Sequence, residues 1–383
     1  MTTTSEMTVP ASSLQAGPVR DHRGSWVPTS AMIATRFMEL TRRRGTMIAL
    51  AAVTIGLPSV FLIVRLLAHA FDPKAYGPAG GYSVFTGLVA GVLYVFGFIV
   101  AATLGCTAGA ADLQEGVFRH LVVTGRSRFA IYFARIPAGL GIIVPMVAIG
   151  YGIVCLVCSL AAPTVLNYDG ANVPAGLSRP ALVAWAGDHY GTVLCDFPLQ
   201  IKGPQGAIPI PCSGNGRLDF GQLPPGVQRP SIAKLRAAAE LAANQDYADY
   251  QKGFLAPSIG LMVRAGLWIE LEAAIGLIVG LGLGSLIGQR TISVVLMIVL
   301  EVILTPLFLH AQIPHMIDLQ RSVVGVATEH LRPSAMPIAF GGGGGPGQPS
   351  IVPETRTVAA VVVAAWLAVW TALGSWRMAT RDA

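Results

Sequence analysis

The chain has 383 residues, of which 53% are hydrophobic and only 12% are charged. Its mean hydropathy is +0.61, so the composition excludes a soluble globular protein and predicts an integral membrane protein. The formal net charge is +6, but the arginines flank apolar runs, where they determine membrane orientation. We therefore expect no nucleic-acid partner.

Two N-terminal segments precede the apolar runs. Residues 1–28 are rich in Ser, Thr and Pro without periodicity, and we expect a disordered cytosolic tail there. In residues 29–45, apolar side chains at helical spacing lie opposite Arg36 and the three arginines at 42–44. This pattern is typical of a helix in the membrane interface, with its arginines among anionic headgroups.

Six apolar runs are each long enough to cross a bilayer, which takes roughly 20 residues. The third run is overlong, which predicts a tilt or a kink at Pro137 or Pro145. Lys and Arg lie near one set of span ends, so both termini are predicted to be cytosolic. The predicted fold class is an all-α membrane protein whose spans lie within residues 46–70, 83–108, 129–162, 265–288, 291–311 and 357–376.

The spans divide the chain into regions. Spans 1–3 occupy residues 46–162, spans 4 and 5 occupy 258–311, and span 6 with a short cytosolic tail occupies 357–383. Between them, residues 163–257 are predicted to be a small extracytoplasmic module with a helix from Pro230 to about Lys252.

A second extracytoplasmic segment, residues 312–356, precedes span 6. It begins with an amphipathic stretch and continues into a glycine run at 341–345. This run is followed by no Lys-Ser or Lys-Thr, so it is no phosphate loop and is expected to be a flexible linker.

The cysteines differ in their surroundings. Cys195 and Cys212 both lie in the module, where a disulfide would close a loop of about 17 residues and contribute roughly 3 kcal/mol; two free thiols are the alternative. Cys106, Cys155 and Cys158 lie within spans, where thiols act as small apolar residues. No metal site is predicted.

A short charged helix, the coupling helix, is predicted between spans 2 and 3 at residues 112–125. Asp112 and Glu115 have the spacing of a helix-opening capping box. Gly125 stops the helix, and Ser127 can cap the next one, which enters the membrane. Such a short helix is marginal alone in water, so we expect its apolar face to rest on a partner.

Glycines repeat at every fourth position along the fourth span, so that one helix face is bare and accepts another helix backbone closely. Ordinary packing within one subunit and a dimer or moving interface both fit this pattern. The glycines are Gly276, Gly280, Gly284 and Gly288.

Acidic residues within spans are costly, at about 3 kcal/mol for a carboxylate at a span centre. Glu301 lies near the middle of the fifth span. It is a polar point in a translocation path, a partner of a buried arginine, or a protonated acid bonded within the bundle. Glu270 and Glu272 lie in the outer half of the fourth span and point to different helix faces, so they are a poor acid and base pair.

The chain has an interfacial helix ending in an arginine cluster, two spans, a cytosolic loop that begins at Glu115-Gly116, and four further spans. This order of elements resembles the permease subunit of the type-2 family of ABC transporters. The local similarity is to the Glu-Gly-led loop after the second span of such permeases, and the large outer loops, notably 163–257, depart from its simplest members. The resemblance assigns ATPase coupling to Asp112, Glu115, Gly116, Phe118, Arg119, Leu121, Gly125, Arg126, Ser127 and Arg128.

The resemblance further implies that the coupling helix docks on a separate cytosolic ATPase. It implies that two permease subunits, identical or different, surround one pathway among membrane lipids, and that a segment before the last span dips back into the membrane. The chain has no phosphate-binding loop, so ATP and Mg are expected on the partner, with no cofactor and no enzymatic activity on this chain.

The predicted function is export of an amphiphilic compound, lipid or antibiotic, across a bacterial cytoplasmic membrane. Two alternatives act through the extracytoplasmic module: a non-transporting receptor or assembly protein, and a membrane enzyme. The acidic and histidine side chains of the module fit no catalytic motif in their spacing; they are Asp188, His189, Asp196 and Asp219.

Overall fold

Six long apolar helices dominate the described part of the chain, as the sequence predicts. In this computed structural model they are span 1 (Arg44–Phe71), span 2 (Tyr82–Ala111), span 3 (Arg128–Leu160), span 4 (Ile259–Ile287), span 5 (Arg290–Leu309) and span 6 (Arg356–Thr380). The structure describes residues 26–72, 76, 78–114, 127–163, 165–168, 171–174, 176–196, 200–203, 206–209, 212–213, 218–222, 229–248, 250, 256–310, 313, 315–339 and 352–380.

Spans 2 and 4 form the centre of the bundle. Their most apolar stretches are 67% and 72% buried, whereas those of the other four spans are 17–28% buried. The outer spans therefore keep apolar surface that the bundle itself does not cover.

The fourth-span glycines allow close contact with span 2. Because glycine has no side chain, the backbones of the two helices come very close together. A Cβ atom on these span 4 glycines would overlap carbonyl oxygens of span 2. Cβ atoms built on Gly276, Gly280 and Gly284 would lie 2.8, 2.6 and 2.7 Å from the backbone oxygens of Phe98, Ala102 and Cys106. The glycine face is therefore used within one chain.

Two details of span geometry add to the expectations. Gly288 ends span 4, where its φ of 74° is the left-handed conformation that favours glycine. Span 3 is one helix that contains both Pro137 and Pro145.

Three spans contain a π-helical segment: Ala52–Gly56 in span 1, Val89–Leu93 in span 2 and Val299–Leu304 in span 5. A π turn inserts an extra residue and rotates the side chains that follow, and it is frequent at functional sites. Tyr94 directly follows the second of these segments, and Glu301 lies within the third.

Helix α1 (Ser30–Arg42) precedes span 1. The Thr29 hydroxyl caps it by accepting from the Met32 N–H at 3.4 Å. The helix packs along span 3, where the Phe37 ring lies 3.6 Å from the position of a Cβ on Gly141. Its predicted place in the membrane interface remains a prediction.

The module between spans 3 and 4 contains strands, which the all-α expectation missed. Its helices surround a small core that includes Ala186, Leu194, Leu235 and Ala239. Two antiparallel hairpins accompany them. The elements are β1 (Val165–Tyr168), β2 (Ala171–Pro174), α2 (Arg179–Asp188), α3 (Tyr190–Asp196), β3 (Gln200–Gly203), β4 (Gly206–Pro209) and α4 (Ile232–Gln245).

Helix α4 begins two residues later than predicted. Ser231 is its N-cap, with the hydroxyl accepting from the Lys234 N–H at 3.3 Å, so Pro230 lies before the helix. The helix ends at Gln245, and Lys252 lies outside the described residues.

Two short helices precede span 6: α5 (Ile317–Arg321) and α6 (Val324–Leu331). Residues 324–329 are all buried. Helix α6 contacts spans 4, 5 and 6, so it lies inside the bundle. The glycine run at 341–345 lies outside the described residues.

The structure joins Cys195, in α3, to Cys212 by a disulfide, with Cα atoms 5.7 Å apart. Replacing both by alanine should lower the stability of the module by about 3 kcal/mol, because the open chain gains loop entropy. Limited proteolysis of the full chain in lipid should then show faster cleavage within 163–257. Equal cleavage rates with and without the bond would contradict this.

Close packing of spans 2 and 4 makes a second prediction. A Cβ on Gly105 would overlap the Leu277 carbonyl oxygen, whereas one on Gly97, in the same helix, meets nothing within 4 Å. Gly105→Ala should destabilise the bundle by about 1–3 kcal/mol. Gly97→Ala is the matched control, and thermal unfolding in detergent should separate the two; equal melting temperatures would refute the packing.

Candidate functional site

The predicted coupling helix falls mainly outside the described residues. That applies to Glu115, Gly116, Phe118, Arg119, Leu121, Gly125 and Arg126. Asp112 lies within the helix that continues span 2 to Gln114.

Residues 127 and 128 begin span 3. Ser127 occupies the N-cap position with an extended backbone, but its side chain makes no capping hydrogen bond. The Arg128 guanidinium donates to the Ala379 carbonyl at 2.9 Å, which ties the start of span 3 to the end of span 6.

Three buried carboxyl side chains converge inside the bundle from three elements. Glu272 belongs to span 4, Glu301 to span 5 and Glu329 to α6, and each interacts electrostatically with the others. They are between 0 and 2% exposed. We call these three residues the acid cluster.

Glu301 lies against α6. Its Oε2 accepts from the Thr305 hydroxyl at 3.3 Å, and a Cβ on Gly325 would lie 2.7 Å from the same oxygen. The close approach requires glycine at position 325. The other carboxylate oxygen, Oε1, has no hydrogen-bond partner in the described structure.

The fourth-span helix begins at Ile259, earlier than predicted, so Glu272 lies near the midpoint of that helix. It points inward and is 1% exposed, and neither oxygen has a hydrogen-bond partner among the described residues. Glu270 lies on another face and is not part of the acid cluster.

Aromatic and hydroxyl groups surround Glu272. The Tyr94 hydroxyl and Thr328 Oγ1 are 2.8 Å apart, and both interact with Glu272. The Trp268 ring stacks on Tyr94, with centroids 4.5 Å apart, and its N–H donates to the Thr328 carbonyl at 3.0 Å. These contacts hold α6 in place against spans 2 and 4.

Glu329 differs from the other two because its charge is compensated. Its Oε1 accepts from the Ala339 N–H at 3.1 Å, and its Oε2 lies 3.6 Å from the Arg332 guanidinium. The buried Arg135 is elsewhere: it donates to the Gly109 carbonyl at 3.3 Å. The described contacts therefore do not make Arg135 the partner of Glu301.

A histidine joins α6 to the start of span 6. The His330 ring nitrogens lie 2.8 Å from the Val326 and Val352 carbonyl oxygens, and Nδ1 lies 3.5 Å from the Glu354 carboxylate. A neutral ring has one N–H and satisfies one carbonyl, whereas a protonated ring satisfies both. Burial raises the pKa of Glu354, while His330 and Arg321 lower it.

Sequence reasoning missed Tyr94, Thr328 and Glu329. The segment carrying the last two is too short and too polar at its ends to qualify as a span, and the re-entrant segment that the resemblance implies before the last span was not assigned to particular residues. Its uninterrupted small and apolar run at 323–327 is the signal that could have indicated an interior position.

The six spans define the class of protein: this is a multi-pass membrane protein. No protein-family model and no curated protein matches the chain. Within residues that the structure describes, no group of His, Cys, Asp or Glu side chains is arranged to hold a metal ion.

The histidine contact makes a prediction. His330→Phe should free the Val352 carbonyl and loosen the chain before span 6, because the phenyl ring cannot donate. Hydrogen exchange at the Val352 amide, which donates to the Leu309 carbonyl at 3.1 Å, should accelerate. His189→Phe, in the module, is the control, and unchanged exchange in His330→Phe would contradict the role of the ring.

Proposed function

We propose that the chain is the permease subunit of an ATP-driven exporter whose ATPase is a separate cytosolic protein. The observation that carries this proposal is the continuity of span 2. Its helix runs unbroken from Tyr94, beside the acid cluster, to Gln114, within the first residues of the predicted coupling helix. A displacement applied to that segment is transmitted along a stiff helix to the centre of the bundle.

The packing of span 2 supports transmission to its neighbours. Because the helix backbones of spans 2 and 4 are in contact, we expect a displacement of one helix to move the other with it. Span 4 carries Glu272 and Trp268, which contact α6 through Thr328. Movement at the cytosolic end would therefore change how α6 sits among the spans.

Helix α6 also supports the re-entrant segment that the resemblance implies. It contacts Tyr94, Glu272 and Glu301, each near the middle of its own span. A helix that reaches the midpoints of three spans enters the membrane without crossing it. Irregular backbone at such depth is tolerated where protein buries it.

In this proposal the cargo is an amphiphilic compound, lipid or antibiotic, and the termini are cytosolic. The apolar outer faces of spans 1, 3 and 6 suit membrane lipids and a second permease subunit, identical or different. The bacterial cytoplasmic membrane is the proposed location, which places the module outside, where its disulfide is stable.

The described contacts do not favour an enzymatic module. The His189 ring stacks on Trp185 with centroids 4.4 Å apart, and the Asp219 carboxylate accepts from the Gly221 N–H at 2.9 Å. Both are local structural contacts rather than a shared site.

Phe118→Asp tests the proposal. A charge on the apolar face of the coupling helix should abolish docking, because desolvating an aspartate in the interface is costly. The ATPase should co-purify with the wild-type chain at least tenfold better than with the variant, a loss of about 1.4 kcal/mol.

Phe118→Leu is the matched control, since it keeps an apolar side chain of similar reach and should retain the ATPase. Membrane insertion of both variants is checked by protease protection. A native complex without an ATPase, or equal recovery with Phe118→Asp, would refute the proposed function.

A further inference from the structure

Two carboxyl groups of the acid cluster lack a compensating charge. Glu272 makes no hydrogen bond within the described residues, and Glu301 makes one, through a single oxygen. Glu329, by contrast, has Arg332 and a backbone N–H. An ionised carboxylate without a partner in a dry interior is strongly disfavoured, and a second carboxylate nearby increases the penalty.

Two hydroxyl groups lie beside Glu272. The Tyr94 hydroxyl and Thr328 Oγ1 are 2.8 Å apart, and either can donate in that contact. Both interact with Glu272, and Thr328 Oγ1 also contacts the Gly325 carbonyl at 3.1 Å. Neither hydroxyl carries a charge, so neither replaces the cation that Glu329 has in Arg332.

The site lies where four elements meet. Tyr94 faces it from span 2, Glu272 from span 4, Glu301 from span 5, and Glu329 from α6, with Arg332 beyond. Tyr94 follows one π-helical segment and Glu301 lies in another. A Cβ on Gly325 would lie 2.7 Å from Glu301 Oε2, so α6 and span 5 are in close contact at this point.

We propose that Glu272 and Glu301 form an intramembrane proton-binding site, in which both carboxyl groups hold a proton while α6 is packed against spans 4 and 5. When that packing opens, water enters, the carboxyl groups ionise and protons are released. The ligand of the site is the proton, and its binding is coupled to the position of α6. The inference goes beyond the proposed function, because it requires neither an ATPase nor a particular cargo.

Infrared spectroscopy tests the protonation directly. The full-length chain in lipid nanodiscs at neutral pH should show C=O absorption from carboxylic acids, and Glu272→Gln and Glu301→Gln should each lose part of it. Glutamine keeps the shape of the side chain, so both variants should fold. Glu39→Gln is the control, because Glu39 lies outside the acid cluster and forms a 2.6 Å salt bridge with Arg36, so its replacement should leave this absorption unchanged.

Thermal unfolding tests the coupling to packing. Above the ordinary pKa range of carboxyl groups, the unfolded chain has lost its carboxyl protons. If the folded protein still holds protons there, its free energy of unfolding falls as the pH rises. The melting temperature of the wild type should therefore fall between pH 5 and pH 8, and that of the Glu272→Gln, Glu301→Gln double variant should fall less. An absorption identical to wild type in either single variant, or the same pH slope in the double variant, would overturn the proposal.

Discussion

The backbone contact between spans 2 and 4 is the constraint on which the rest of the interior depends. Gly280 meets Ala102, and Gly105 in turn meets Leu277, so each helix supplies space for the backbone of the other. Within lipid there is little hydrophobic gain from helix association, and close van der Waals packing has to hold the pair together. The same contact places Tyr94 over Trp268 and brings Glu272 to the centre.

The third component of the site comes from outside the spans. Helix α6 is short, yet its backbone carbonyl at Thr328 accepts from Trp268 and its Gly325 contacts Glu301. The bond from Trp268 satisfies one backbone carbonyl of a helix buried among apolar spans, where an unpaired carbonyl would destabilise the bundle. His330 and the chain before span 6 hold its far end.

Much of the fold follows from local sequence, because about 20 consecutive apolar residues have few alternatives to a transmembrane helix. The pairing of Cys195 with Cys212 was likewise expected from their shared module. Other features depend on contacts between distant segments. Helix α6 is shorter than any span, and the module strands are four residues each. Asp112 has the sequence pattern of a helix cap, although the span 2 helix continues through it.

The site was only partly predictable for the same reason. The sequence identifies Glu301 as a costly residue, but it does not show that Glu272 turns toward it or that α6 closes over both. Only the folded bundle distinguishes Glu329, which has Arg332 beside it, from Glu272, which has no cation among its described contacts.

The energetic contrast within the acid cluster argues for a role beyond packing. A leucine at position 272 would fill the same interior without an insertion cost of about 3 kcal/mol for an acidic residue. A purely structural carboxyl group would be expected to resemble Glu329, with its ion pair and backbone donor. Glu272 and Glu301 instead occupy the centre of the membrane bundle without either compensation. A carboxyl group that is stable there only as a neutral acid ionises when a movement of the helices admits water. An apolar side chain at the same position has no proton to release and cannot respond in this way.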